Sequence, residues 1–309
     1  MIDQILIKRR KGEYIEQEGK AINIQLNSTS QTILSLKKEI AKITKIKPIR
    51  QWLTTEDKQK VFEDNELPLN LSGIKNGQTL VVKDLGPQML WGAVFYIEYL
   101  GPILMFFLLY KLGNQENYTL MQKIAYWMVI LHFLKRILET KFVHVFSRDS
   151  MPLKRALINC LHYWIFCGFC IGIELFYLRS FEKRQSWKFI FVAFFGLFEF
   201  LNLMCHIRLS SFRKKLELKQ SDADYVAQNK QRQIPYGWGF GAVSSANYFW
   251  ETMAWVSFSL FTCSYAAIAF TIFSFGQMLI WAKQKHRRYI KEFGDRYPRN
   301  RKAMVPYII

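Results

Sequence analysis

SSANYFWETMAWVSFSLF (residues 244–261) reads as the start of a membrane-buried helix, yet it sets Asn247, Tyr248 and Glu251 within the first turns. An ionisable group in hydrocarbon is costly, so it calls for a partner, a cavity or a ligand. The apolar character runs on almost unbroken to residue 283, too far for one crossing. A tight hairpin near Thr262–Ser264 divides it into spans at 246–262 and 264–283, each close to the ~20 residues that cross ~30 Å of hydrocarbon.

Four more candidate spans precede these, near 89–112, 120–139, 156–178 and 187–208, which predicts an all-α multi-pass bundle of about six spans. Six crossings put both termini on one side of the membrane. The basic loops name that side as the cytosol: residues 208–238 carry seven Lys/Arg and the tail from Lys283 carries nine. The loop 179–188, with four basic residues, dissents from that orientation.

Ahead of the spans the composition changes. Residues 1–84 hold 15 Lys/Arg and 11 Asp/Glu, whereas the remaining 225 residues hold 28 and 13, so most of the net charge of +19 lies between the apolar runs. Strand-like alternation at 4–9 and 20–26 is followed by a helix with Ile33, Leu36, Ile40 and Ile43 at helical spacing. Two further strands follow, at 50–54 and 78–85. That order predicts an α+β, ubiquitin-like β-grasp domain over residues 1–85, cytosolic because no leader precedes it, and a membrane-embedded domain over 86–309. No terminal Gly-Gly is present, which excludes a conjugating modifier.

The positive charge fits the bias of cytosolic loops against anionic lipid and equally a surface for a phosphate-rich ligand. Nucleic acid is not an expected partner, because the basic residues sit between spans. All five cysteines lie in apolar runs, so no disulfide framework is expected. Cys167 and Cys170 form a CxxC within an apolar run, and no metal site is expected.

The polar residues within the spans are organised. Glu98 lies about 15 Å along the first span from Gln88 at 1.5 Å per residue. Glu199, Asn202, His206 and Arg213 are spaced by 3, 4 and 7 residues, which at about 100° each places them within an arc of about 60°. Asn247 and Glu251 share a face four residues apart, and Lys135, Arg136 and Glu139 close the second span. Plainer explanations stand beside these: a Lys135–Glu139 pair, Asn202 and Asn247 as interhelical glue, Tyr248 as an interfacial anchor, and His206 and Glu199 satisfying each other. Their convergence at one end of several spans suggests a pocket open to the cytosol for an anionic ligand with an apolar tail. The last segment, ending in VPYII, suggests a fold-back that carries its cations over that ligand. No GxGxxG is present, so a dinucleotide would not be held by a Rossmann unit.

Four stretches carry a resemblance: DLGPQMLWGAVFYIEYLGP (84–102), LHFLKRILETKFVHVFSRDSMPLKR (131–155), ANYFWE (246–251), and AKQKHRRYIKEF (282–293) with YPRNRKAMVPYII (297–309). In these the chain resembles the very-long-chain trans-2-enoyl-CoA reductases of the steroid 5α-reductase superfamily, over its whole length. The resemblance implies reduction of a long-chain trans-2-enoyl-CoA to the saturated acyl-CoA with NADPH, the last step of fatty-acid elongation, in the endoplasmic reticulum membrane. Membrane lipid and the other elongation enzymes are the implied partners. It implies Tyr248 as proton donor, with Gln88, Glu98 and Lys135 essential to the pocket. The implied cofactor contacts are Asn202, Arg213, Asn247, Glu251 and Tyr289, with His206, His286 and Arg287 nearby. Steroid reductases have Arg where this chain has Trp281 and an acid near His206, which favours the enoyl-CoA branch and leaves Lys283 and Lys285 as candidate phosphate contacts. A sibling reductase of steroids or polyprenols and a non-enzymatic membrane adaptor remain the competing readings.

Overall fold

The computed structural model describes residues 4–9, 22–25, 32–145, 150–178, 186–217 and 233–309. The chain divides into two compact units, Met1–Trp91 with Phe146–Leu157, and Gly92–Val145 with Ile158–Ile309.

The first unit holds strands β1 (Gln4–Arg9), β2 (Ile22–Gln25), β3 (Gln51–Thr55) and β4 (Thr79–Asp84) and helix α1 (Ile33–Thr44). The sheet runs β2-β1-β4-β3, with β1 parallel to β4 and the other pairs antiparallel. Thr32 caps α1 reciprocally with Ser35, and Ile33, Leu36 and Ile40 are buried, as are Ile7, Leu53 and Leu80 of the sheet. Ile43 falls on the outer face, 45% exposed, because it lies beyond the apolar stripe. Arg50 forks onto Asp84, Nε to Oδ1 at 2.9 Å and Nη2 to Oδ2 at 2.5 Å, and so ties β3 to the end of β4. Asp84 Oδ1 also accepts from the N–H of Gly86, whose φ of +73° makes the turn into a short strand β5 (Gln88–Leu90). β5 pairs with β6 (Ser150–Pro152).

The second unit is helical: α2 (Trp91–Leu112), α3 (Leu120–Phe142), α4 (Leu153–Leu178, largely wound as π-helix beyond Cys160), α5 (Phe189–Glu217), α6 (Ala246–Thr262) and α7 (Tyr265–Phe293). Its core stacks aromatic rings, among them Phe106, Phe133, Trp255, Phe258 and Phe270. The outer faces stay apolar: Ile97, Leu100, Leu104 and Phe107 on α2, with Ile190, Phe194 and Leu197 on α5, are exposed at helical spacing, as lipid contact requires. The turn between α6 and α7 is built by Cys263 at φ +48° and by the Glu174 carboxylate, which accepts from the N–H groups of Tyr265 (2.9 Å) and Ala266 (2.7 Å).

Two expectations need correction. The described residues are largely helical, with only small sheets and no clear β-grasp domain. The segments 10–21 and 26–31 that the expected domain included lie outside the described residues. Four helices, not six, are long and apolar enough to cross a membrane: Trp91–Leu112, Leu153–Leu178, Phe189–Phe212 and Tyr265–Arg296. α3 fails because Lys123, Lys135, Arg136, Glu139 and Lys141 interrupt it. α6 fails on length, its 17 residues covering about 26 Å at 1.5 Å each. Of the loop 179–188, whose charge opposed the expected orientation, residues 179–185 lie outside the described residues.

Candidate active site

The second half of α3 places His132, Lys135, Arg136 and Glu139 at intervals of three and four, so they share a face. Opposite them stand Glu199, Asn202 and His206 of α5. His132, 2% exposed, has Nδ1 2.8 Å from Glu199 Oε1 and Nε2 3.5 Å from Glu251 Oε1, and so joins α3, α5 and α6. Lys135 Nζ donates to Asn202 Oδ1 at 3.0 Å and forms ion pairs with Glu199 at 2.7 Å and Glu139 at 3.4 Å. Arg136 binds Glu139 Oε2 at 2.5 Å and the Tyr99 hydroxyl at 3.0 Å, with His206 Nδ1 2.9 Å away. Ser210 Oγ donates to the Val143 carbonyl and extends the contact.

Each ion in this set has an opposite neighbour, the condition under which charge survives burial. The partition differs from the simpler sequence alternative of a Glu199–His206 pair: Glu199 serves His132 and Lys135, while His206 sits 3.0 Å from Glu139. Glu139 lies on α3, outside the four candidate spans. Burial raises its carboxyl, but the Arg136 guanidinium, His206 and Lys135 overrule this and hold it well below the usual carboxylate range. Glu139, His144 and His206 also bring ligand atoms within 4.8 Å of one another. Arg136 Nη1 already lies against two of the three, so a divalent ion there would meet a guanidinium at contact distance.

Asn202 also donates from Nδ2 to the Asn247 carbonyl at 2.9 Å, which fixes the first turn of α6 on α5. Asn247 Oδ1 and the neighbouring Ser245 Oγ are buried without a hydrogen-bond partner among the described residues. Tyr248 packs against Met278, Ala282, Ala303 and Met304, with its ring 6.2 Å from that of Trp281. Its hydroxyl makes no hydrogen bond among the described residues. Tyr248 also lies outside the four spans; burial pushes its phenol up from the ordinary value, against the Arg136 charge, which lowers it.

The end of the chain closes beside this turn. Lys302 N–H donates to the Ala242 carbonyl at 3.0 Å, and Ser244 N–H donates to the Lys302 carbonyl at 2.9 Å. Ser244 Oγ sits 2.5 Å from both His286 Nδ1 and the Tyr297 hydroxyl. Tyr289, 5% exposed, stacks on Tyr297 at 5.6 Å, and Lys285 Nζ lies 5.7 Å over the Tyr289 ring.

Of the expected site residues, the structure therefore gathers Lys135, Asn202, His206, Asn247 and Glu251 in one network. It sets Tyr248, Lys285, His286 and Tyr289 around the start of α6 and the end of the chain. Glu98 is buried on α2 with Oε1 unpartnered among the described residues, and is not hydrogen-bonded into the network. Gln88 belongs to the first unit, where it donates to the Leu85 carbonyl at 3.0 Å and accepts from Ser150 Oγ at 3.3 Å. Arg287 and Lys283 are exposed on α7. The Arg213 side chain lies outside the described residues. Sequence reasoning did not single out His132, Tyr99, Ser244 or Arg301. For His132 the 132/135/136/139 spacing was an available signal.

Residues 149–309 match the family model described as 3-oxo-5-alpha-steroid 4-dehydrogenase. A Schizosaccharomyces pombe protein with "enoyl reductase" in its name is 36% identical over 307 residues, covering 97% of this chain and 98% of its own. A Caenorhabditis elegans protein named "Probable very-long-chain enoyl-CoA reductase" is 36% identical over 307 residues, covering 93% and 94%. The very-long-chain enoyl-CoA reductase of Dictyostelium discoideum is 33% identical over 310 residues, covering 95% and 97%.

Proposed function

The chain belongs to the 3-oxo-5-alpha-steroid 4-dehydrogenase family, among relatives named very-long-chain enoyl-CoA reductases, and on that footing we propose that it reduces a long-chain trans-2-enoyl-CoA to the saturated acyl-CoA with NADPH. The reaction would close each cycle of very-long-chain fatty-acid elongation, in company with the other elongation enzymes. We place the protein in the endoplasmic reticulum membrane, with the basic segment from Lys283 on the cytosolic side, following the positive-inside bias.

The single observation that carries this reading is the Tyr248 hydroxyl, which has no hydrogen-bond partner among the described residues and belongs to the residue that follows Asn247, whose buried Oδ1 is unpartnered as well. Bound NADPH would supply a hydride for Cβ of the enoyl thioester. Tyr248 donates the proton that Cα then needs, and its raised phenol keeps that proton at neutral pH. Asn247 Oδ1 and Ser245 Oγ fit a ligand that brings donors of its own, such as a carboxamide or a ribose hydroxyl. Asn202, Asn247 and Glu251, with His206, Lys285, His286 and Tyr289, would hold that ligand. The ion pairs of His132, Lys135 and Glu199 fix the helices that present these groups.

The test is turnover by the full chain in detergent or proteoliposomes, read as NADPH oxidation with mass-spectrometric detection of the saturated acyl-CoA. No NADPH oxidation with any trans-2-enoyl-CoA would overturn the reading. The family description favours one second substrate class, a 3-oxo-Δ4 steroid, and the same assay with such a steroid separates the two.

A further inference from the structure

Arg301 is 3% exposed, and all three of its guanidinium nitrogens are buried with no hydrogen-bond partner among the described residues. A guanidinium stays charged at any pH a protein meets, so it cannot escape burial by losing its proton. Among the described residues no carboxylate pairs with it. Asp295 is the one acid from Gly294 to Ile309, and it pairs with Arg299 at 2.7 Å.

The position is built rather than incidental. Arg301 N–H donates to the Pro298 carbonyl at 3.3 Å, and the following residue is pinned on both sides by its bonds to Ala242 and Ser244. Two aromatic rings lie against the guanidinium, Tyr236 at 4.5 Å and Tyr297 at 5.5 Å from Cζ. Tyr297 is buried and locked through its hydroxyl to Ser244. Tyr236, by contrast, is 52% exposed, so its side can yield to an incoming group. Stacking holds a planar cation but leaves its five N–H donors unused. Donors in that fork match the oxygens of a phosphate.

We propose that Arg301 is a phosphate-binding residue, preformed against Tyr236 and Tyr297, whose missing hydrogen-bond partner is a phosphate ester of a bound nucleotide. The inference rests on the reading of this unit as a nucleotide-dependent reductase. Two sources share the chemistry: a phosphate of the dinucleotide and a phosphate of the coenzyme A moiety.

The experiment is thermal stability and ligand binding of the full chain in detergent, with Arg301→Met beside wild type. The probes are NADPH, 2′,5′-ADP, coenzyme A, 3′-dephospho-coenzyme A and inorganic pyrophosphate. Removing a buried cation that has no partner among the described residues leaves the ligand-free protein at least as stable as wild type. Affinity for the phosphate source falls roughly 10- to 100-fold, the worth of charged hydrogen bonds. Loss confined to NADPH and 2′,5′-ADP assigns the dinucleotide; loss confined to coenzyme A assigns the acyl carrier. Wild-type affinity for every probe overturns the proposal, as does a lower ligand-free melting temperature with binding intact. Arg301→Lys keeps the charge but not the fork, so if Arg301→Met fails to fold, wild-type affinities in Arg301→Lys overturn it equally. None of these readouts needs turnover. Turnover by wild type with unaltered binding in the variants would sink Arg301 alone, while lost phosphate binding without wild-type turnover would sink the enoyl-CoA reading alone.

Discussion

Asn202 Nδ2 donates to the carbonyl of Asn247 at 2.9 Å, while Asn202 Oδ1 accepts from Lys135 Nζ at 3.0 Å. One side chain thus joins the ion-pair network of α3 and α5 to the turn that presents Tyr248. Asn202→Ala leaves a buried carbonyl without its donor, which costs about 1–3 kcal/mol. The expected outcome is a lower melting temperature together with a raised KM for NADPH. An unchanged KM would mean that this amide only holds helices together.

Tyr248→Phe removes the one hydroxyl that the proposed chemistry uses and keeps the ring among Met278, Ala282 and Met304. Turnover of a trans-2-enoyl-CoA should fall by about 10²- to 10⁴-fold, the usual worth of a positioned proton donor. NADPH affinity and melting temperature should stay near wild type. Activity within a few fold of wild type would remove Tyr248 as the donor.

Lys135→Met strips Glu199 of a cation at 2.7 Å and Glu139 of one at 3.4 Å. Breaking a buried pair by removing one member costs about 3–5 kcal/mol, more than the pair contributes net, because the other charge stays behind. Adding Glu199→Gln should therefore recover part of the loss, and a double-mutant cycle on melting temperature measures it. Additive losses would show that the two groups do not interact as their distance implies.

The shared face of Glu199, Asn202 and His206 on α5 was legible because a helix repeats every 3.6 residues, so intervals of 3 and 4 fix it by spacing alone. What that face meets was not legible. His132 sits in a run of apolar neighbours and reads as filler, and only the packing of α3 against α5 and α6 turns it into the link between Glu199 and Glu251. The span count erred for a related reason: α3 is long enough to cross, but it carries too many charges, of which Lys135, Arg136 and Glu139 belong to the network. The DLGPQ stretch was read for Gln88, whereas Asp84 and Gly86 shape the turn into β5, with Asp84 held by Arg50. Arg301 was one of nine basic residues from Lys283 onward, and composition does not reveal which of nine is buried.

The raised phenol of Tyr248 gives a pH dependence with a definite sign. An ordinary phenol titrates near pH 10. With the folded value above the unfolded one, the stability this residue contributes is fully present below about pH 10 and is lost as pH rises through the raised folded value. Catalysis follows the same direction, because only the protonated phenol can serve Cα. The rate should stay flat on this account through the neutral range and fall only above about pH 10. An initial-rate profile from pH 6 to 11 under saturating NADPH and enoyl-CoA checks this, with Tyr248→Phe run alongside. The residual rate of the variant should lack the alkaline fall. A wild-type limb that drops well below pH 9, or one that survives in Tyr248→Phe, would assign the titrating proton to another group.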